Sequence, residues 1–385
     1  MSTIPYGRQE VTDEDVAAVA HALRDPFLTQ GPRIQEFEGR LVEVTGSRHA
    51  VAFNSGTAAL HGAYFAAGIR PGRTVLTSPI TFAATANAAL YLGGGVRFAD
   101  VHPDTILLDP AAVAAVTTPE IAVLAPVHFG GQVAEMEGLS RLAAERGWAV
   151  VEDGAHALGA SYTTADGTRH RVGECAHSTM CCFSFHPVKQ VTTGEGGAVT
   201  TNDERCYRKL LRFRSHGITR DPAELSRSEG AWYYEQLDLG FNYRLTDFQC
   251  ALGVSQLARL PDFVERRRVV AARYDDAFAG IAGVRALPAP RWSDGAYHLY
   301  VIRVPAPHRR LIFDGLRSAG IGVNVHYIPV YHHPYYRQHG FRDTRLPRAE
   351  AYYEEAITLP MFPGLTDGQV DYVVAAVRDQ LRACP

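Results

Sequence analysis

At 385 residues, 46% hydrophobic and 21% charged, the chain is long enough for two or three lobes around a sizeable buried core, with the balance of a soluble globular protein. Its net charge is −3 and its one short basic run, Arg266-Arg267-Arg268, reads as the solvated face of a helix. This argues against nucleic-acid partners, and no apolar run approaches the ~18 residues that a membrane span needs.

The start, Met1-Ser2-Thr3-Ile4-Pro5-Tyr6, lacks the charged-then-apolar layout of a secretory signal. Six cysteines show no CxxC spacing, and Cys181-Cys182 sit in an apolar run as small buried hydrophobes. The expectation is a cytoplasmic, reduced chain without structural zinc.

Thr12-Asp13-Glu14-Asp15 opens a helix with a threonine cap, acids in its first turn, and Val16 and Val19 on one face. Pro26 ends it, and the turn Leu28-Thr29-Gln30-Gly31-Pro32 leads into a second helix through Phe37 and Leu41. Short apolar runs then alternate with helical stretches. Strands are predicted at 49–53, 74–77, 96–99, 121–125, 148–151, 180–185 and 197–201, with helices at 58–67, 82–92 and 139–146 between them. That rhythm predicts an α/β protein with a mainly parallel sheet covered on both faces. Beyond Pro261 come a long charged helix, a strand at 299–304 and a helix at 311–319. The expected organisation is an N-terminal segment (1–30) packing with a smaller C-terminal α/β domain (261–385), and a large domain (31–260) between them.

Chemistry concentrates in three stretches. Asn54-Ser55-Gly56-Thr57-Ala58-Ala59-Leu60 joins a strand to a helix, where free N–H groups, a glycine and hydroxyls make an anion site or an ordinary capped helix start. Trp148-Ala149-Val150-Val151-Glu152-Asp153 delivers a carboxylate at a strand's C-terminal end, followed by small residues and His156. Ligands bind at that end of open α/β sheets, and an aspartate there suits a protonated pyridine nitrogen, although such residues also serve as turn caps. Cys182-Phe183-Ser184-Phe185-His186-Pro187-Val188-Lys189, with Thr192-Thr193-Gly194-Glu195-Gly196-Gly197 after it, sets a lysine among apolar residues and glycines. Burial there would lower the lysine pKa and give the neutral amine that Schiff-base chemistry needs, the alternative being a surface loop lysine on a strand connection. A P-loop is excluded, because no GxxxxGK[ST] is present, and no GxGxxG follows the first strand as a nicotinamide enzyme would require.

In this order and spacing the stretches resemble fold-type I pyridoxal phosphate (PLP) enzymes, and more narrowly the DegT/DnrJ/EryC1/StrS sugar aminotransferases. The likeness includes Phe213-Arg214-Ser215-His216-Gly217, Gly240-Phe241-Asn242-Tyr243-Arg244-Leu245, Val325-His326-Tyr327 and Thr358-Leu359-Pro360. It implies a seven-stranded-type sheet and a Schiff base between PLP and Lys189. Asp153 is then expected on the ring nitrogen, with Phe82 stacked on the ring, His156 beside it, and Gly56, Thr57 and Ser184 at the phosphate. Asn242 is expected to reach the phosphate of the neighbouring subunit's cofactor in a homodimer.

Tyr6, Thr29, His326 and Tyr327 match sugar- or nucleotide-facing positions, and Arg244 a carboxylate or phosphate contact. The implied reaction moves an amino group from L-glutamate to a nucleotide-linked 4-keto-6-deoxy sugar, as in the UDP-sugar subgroup of pseudaminic-acid synthesis. Another keto sugar, aminated at C3 or C4 and linked to dTDP or GDP, is the alternative. A PLP dehydratase would replace Lys189 by histidine, and a non-catalytic relative would most simply have lost Lys189 or Asp153.

Overall fold

The computed structural model describes residues 3–116 and 118–384. Met1 and Ser2 of the leader reading, and Pro385 at the end of the expected C-terminal domain, lie outside them. Among the described residues no helix is long and apolar enough to cross a membrane.

Nine strands matter for the site: β1 (His49–Phe53), β2 (Thr74–Thr77), β3 (Gly95–Phe98), β4 (Ile121–Ala125), β5 (Ala149–Asp153), β6 (Ser161–Thr163), β7 (Arg169–Arg171), β8 (Met180–Ser184) and β9 (Gly197–Thr201). Seven of them form one sheet in the order β1-β9-β8-β5-β4-β2-β3. Only β9 runs against its neighbours. β6 and β7 pair outside this sheet as a small antiparallel hairpin. The central strands are buried along their length because helices cover both faces, which is why they read as continuous apolar runs.

Two apolar cores flank the large sheet. One contains Phe37, Leu41, Leu76, Leu124, Val150 and Phe185, and the other Val51, Phe53, Tyr64, Val75, Val151 and Val199. Each fully buried side chain of this kind contributes about 1.5–3 kcal/mol relative to exposure. A third core holds the antiparallel sheet of Arg285–Ala286, Tyr300–Arg303 and Ala356–Leu359 against the helices Arg309–Ser318 and Asp367–Arg382. Ile4 belongs to this core: its N–H donates to Gly320 O (2.9 Å) and its carbonyl accepts from Gly322 N (2.6 Å). The N-terminal segment is thereby fixed with Tyr6 beside the large sheet's open end.

The helix Leu260–Phe278 joins the two regions. Leu260, Phe263 and Val264 pack in a large-sheet core, and Val270, Ala271, Tyr274 and Phe278 pack in the third. Between them Arg267 is fully buried, at 0% exposure. This corrects the reading of Arg266-Arg267-Arg268 as a solvated face. At 3.6 residues per turn the middle arginine shares the inner stripe with Phe263, Val264, Val270 and Tyr274.

A second correction concerns the helix Asp13–Ala22. Val16 is 59% exposed, and the helix docks through buried Asp15 instead. That carboxylate accepts from Ser255 Oγ (2.6 Å) and Gln256 Nε2 (2.7 Å) and pairs with Arg259. A buried carboxylate and its three polar partners thus decide a docking that the valines seemed to dictate.

Candidate active site

The carboxyl ends of β1, β2, β5 and β8 open into one cleft of about 720 Å³. Strand register builds its anion-binding corner. Gly197 of β9 lies opposite Phe53 on one side and Ser184 on the other, so the segment leaving β1 is held against Ser184. A Cβ on Gly56 would sit 2.9 Å from that of Ser184, so any side chain there would force Ser184 to move. The Ser55 hydroxyl caps the helix Gly56–Ala66 by accepting from Ala58 N at 3.1 Å. Gly56 and Thr57 line the cleft at the start of the first turn, where helical N–H groups have no intrahelical partners, as an anion site requires.

On the cleft floor, β5 ends in Asp153, only 5% exposed. Its Oδ2 accepts from the Thr85 hydroxyl at 2.6 Å, and its Oδ1 from Ala155 N at 3.2 Å. Thr81 and Thr85 share a further hydroxyl bond of 2.7 Å. The adjacent Glu152 points into the protein, where it binds His128 Nε2 at 2.7 Å and the Ser178 hydroxyl. Alternation along the strand separates the two carboxylates, one for the cleft and one for the interior.

Lys189 lines the same cleft, half-buried with its amine end enclosed. Burial pulls its pKa down to about 8, nearby Asp153 opposes the fall, and Arg267 adds to it. Its amine lies 3.5 Å from His298 Nε2. His156 Nδ1 accepts from Gly130 N at 3.3 Å, so the neutral ring carries its proton on Nε2 and donates it to the Tyr327 hydroxyl at 3.2 Å. Burial holds His156 well below its ordinary pKa, with the charge of Lys189 acting in the same direction. His326 is pushed down to about 4 by burial and binds the Thr358 hydroxyl at 2.9 Å.

Of the residues singled out in the sequence, the fold brings together Tyr6, Gly56, Thr57, Phe82, Asp153, His156, Ser184, Lys189, His326 and Tyr327. Phe82 is 63% exposed and its ring is 6.4 Å from that of Tyr327. Thr29, Asn242 and Arg244 do not line this cleft. They gather on a neighbouring ledge, where Thr29 bridges to Thr246 and the Asn242 carbonyl accepts from Asn54 Nδ2 at 3.5 Å.

Sequence reasoning missed Thr85, Arg267 and His298. Thr85 stands in the stretch already read for Phe82, one helical turn from Thr81, and that spacing was its only signal. His298 lies in a bend two residues before the strand Tyr300–Arg303, far along the chain, and carries no local signature.

A half-buried lysine whose pKa is lowered to about 8, a carboxylate held by hydroxyl and N–H donors, and a close-packed glycine beside a helix N-terminus fit PLP at its amine-reactive, ring-nitrogen and phosphate ends. Together with the sheet order they define a fold-type I PLP-dependent enzyme. The chain belongs to the DegT/DnrJ/EryC1/StrS aminotransferase family, whose sequence pattern matches residues 9–378.

It is 38% identical over 384 residues to the spore coat polysaccharide biosynthesis protein SpsC of Bacillus subtilis (98% of this chain, 96% of that protein). It is 36% identical over 362 residues to a UDP-4-amino-4,6-dideoxy-N-acetyl-beta-L-altrosamine transaminase of Campylobacter jejuni (93% and 92%). Among solved structures, Helicobacter pylori PseC, an aminotransferase of pseudoaminic acid biosynthesis, superposes with a TM-score of 0.91 at 31% identity over all of both chains. The PLP form of the putative sugar aminotransferase Spr1654 of Streptococcus pneumoniae gives 0.90 at 29% identity, covering 99% of each. The chain is a PLP-dependent sugar aminotransferase.

Proposed function

We propose that the enzyme transfers the amino group of L-glutamate to C4 of a UDP-linked 4-keto-6-deoxy-N-acetyl hexosamine of L-altro configuration. The observation that carries this reading is the wall facing Lys189, where Tyr6, Asn324, His326 and Tyr327 present hydroxyl, amide and imidazole groups to the cleft. A keto sugar has an electrophilic carbon and ring hydroxyls but no carboxylate, so such neutral hydrogen-bonding groups suit it. The Campylobacter relative's named activity is consistent with this acceptor.

In this reading PLP supplies an electron sink once bound to Lys189. Asp153 holds the proton on the ring nitrogen, and Thr85 keeps the carboxylate aimed. Gly56, Thr57 and Ser184 would hold the phosphate, and Phe82 and His156 would hold the ring. Lys189, in its neutral form, would carry the proton between the amino-bearing carbon and the cofactor. Tyr6, Thr29, His326 and Tyr327 recognise the sugar nucleotide.

Thr29, Asn242 and Arg244 are assigned to the partner subunit's cleft in a homodimer working in the cytoplasm. Asn242 would reach the partner's cofactor phosphate, and Arg244 a donor carboxylate or substrate phosphate. Exposed Phe27, Leu28, Leu237 and Leu239, near Thr29 and Asn242 in the chain, supply apolar surface that such an interface would cover. The 38% identity to a spore-coat polysaccharide protein favours, as a second reading, another nucleotide keto sugar destined for a surface polysaccharide.

Single-turnover reaction of the pyridoxamine form with a panel of nucleotide keto sugars decides between them. Preference for the L-altro sugar by at least ~10² in kcat/KM is expected, because a misplaced hydroxyl leaves a buried polar group unpaired. Preference for a 3-keto sugar, or for a dTDP or GDP sugar, would remove the specific acceptor and leave the aminotransferase.

A further inference from the structure

Arg267 is a buried cation bonded only to main-chain carbonyls. Its Nη1 donates to Met361 (3.0 Å), Tyr297 (3.3 Å) and His298 (3.5 Å), and its Nη2 to Lys189 (3.4 Å) and Val188 (3.5 Å). Among the described residues no carboxylate lies within ion-pair distance of it. An unpaired buried charge is costly, so its retention calls for a reason. Its bonds tie the main chain that carries Lys189 to the main chain that carries His298. Above this clamp the two side chains meet, Lys189 Nζ to His298 Nε2 at 3.5 Å. His298 is buried, its Nδ1 has no partner, and its ring packs 4.4 Å from that of His156.

We propose that His298 holds the amine of Lys189 whenever that amine is free, and that Arg267 is a positioning residue that fixes the two side chains against one another. The inference rests on the reading of Lys189 as the lysine that binds PLP. A long, unbranched lysine released into an open cleft would sample many rotamers, and each turnover needs it back at the same carbon. A neutral imidazole accepting one amine N–H leaves the lone pair free for that return. His298 stays neutral there: burial holds it well below its ordinary pKa, and the charges of Lys189 and Arg267 act in the same direction. The charged or titratable groups around the amine are Asp153, His156, Arg267, His298 and His326. Asp153 favours the ammonium, Arg267 the neutral amine, and His298 bonds either form.

The sequence makes this testable, because Lys189 and Lys209 are the chain's two lysines. Acylation of the full-length, cofactor-free chain by acetic anhydride from about pH 6 to about pH 10, read by peptide mass spectrometry with Lys209 as reference, gives the midpoint at which Lys189 becomes neutral. It is expected near 8 in the wild type. His298→Phe, which keeps a ring but removes the acceptor, should lower the midpoint by about half a pH unit or more, and His298→Gln should restore it. Arg267→Met should move it the other way. Should Arg267→Met not fold, Arg267→Lys keeps the charge and hence the midpoint, yet should slow the glutamate half-reaction about tenfold because an ammonium cannot span the clamp. A midpoint unmoved in His298→Phe, a rise in both His298→Phe and Arg267→Met (water entering the cleft), or a wild-type half-reaction in Arg267→Lys would overturn the inference. Absence of covalent PLP on wild-type Lys189 would instead overturn the function on which it rests.

Discussion

The Thr85 hydroxyl donates to Oδ2 of Asp153 at 2.6 Å, joining the helix Ala84–Tyr91 to the end of β5 at the floor of the cleft. With Ala155 N on the other oxygen, this bond fixes the plane of the carboxylate. Asp153→Asn should keep the fold and lose about 3–5 kcal/mol in the proton-transfer step, the range for breaking one side of a buried charge pair. Thr85→Val should cost about tenfold in kcat/KM in both half-reactions, equivalent to one hydrogen bond to a charged group. Rapid-quench measurement of each half-reaction checks both, and near-normal turnover of Asp153→Asn would assign the ring nitrogen to another group.

Borohydride reduction of the holoenzyme followed by peptide mapping should place the pyridoxyl group on Lys189. A label on Lys209, which donates to Ala66 O at 3.2 Å away from the cleft, would refute the assignment.

The cofactor-free chain should be destabilised by Lys189 in a pH-dependent way. Its folded pKa of about 8 lies below the ordinary 10.5, so between these values the unfolded chain binds the proton that the folded chain has released. Stability therefore rises with pH through that window, and the penalty is fully present below about pH 8. Lys189→Met should raise the stability of the cofactor-free chain at neutral pH by about 1–3 kcal/mol, after allowance for partial solvent screening. The gain should shrink towards pH 10, as compared by urea unfolding at both pH values. An equal gain at both would show that the effect is packing alone.

Mixing inactive Lys189→Ala with inactive Asn242→Asp subunits should restore a fraction of the activity, because a mixed dimer contains one site with both residues intact. No recovery after subunit exchange verified by mass spectrometry would mean that each site is built from one chain.

The local stretches were legible in the sequence because each is continuous. Asn54 to Leu60, Glu152-Asp153 and Ser184 to Lys189 carry their glycines, acids and lysine within a few residues, and the apolar runs of the seven strands follow from burial on both faces. Small shifts at element ends, such as a helix beginning at Gly56 rather than Ala58, reflect first-turn residues whose side chains stay out of the apolar pattern.

The tertiary structure alone decided what depends on distant segments meeting. Register through Gly197 set Gly56 beside Ser184, and the bridges Thr29 to Thr246 and Ser215 to Asn242 put Thr29, Asn242 and Arg244 on a ledge outside the cleft. The packing of one helix against two cores turned Arg267 from a surface charge into a buried clamp. Periodicity records which side of a helix is apolar, but a lone arginine on that side is read as solvated until carbonyls from Val188, Lys189, Tyr297, His298 and Met361 are seen to converge on it. Those carbonyls exist in every sequence, so their arrangement leaves no mark in this one.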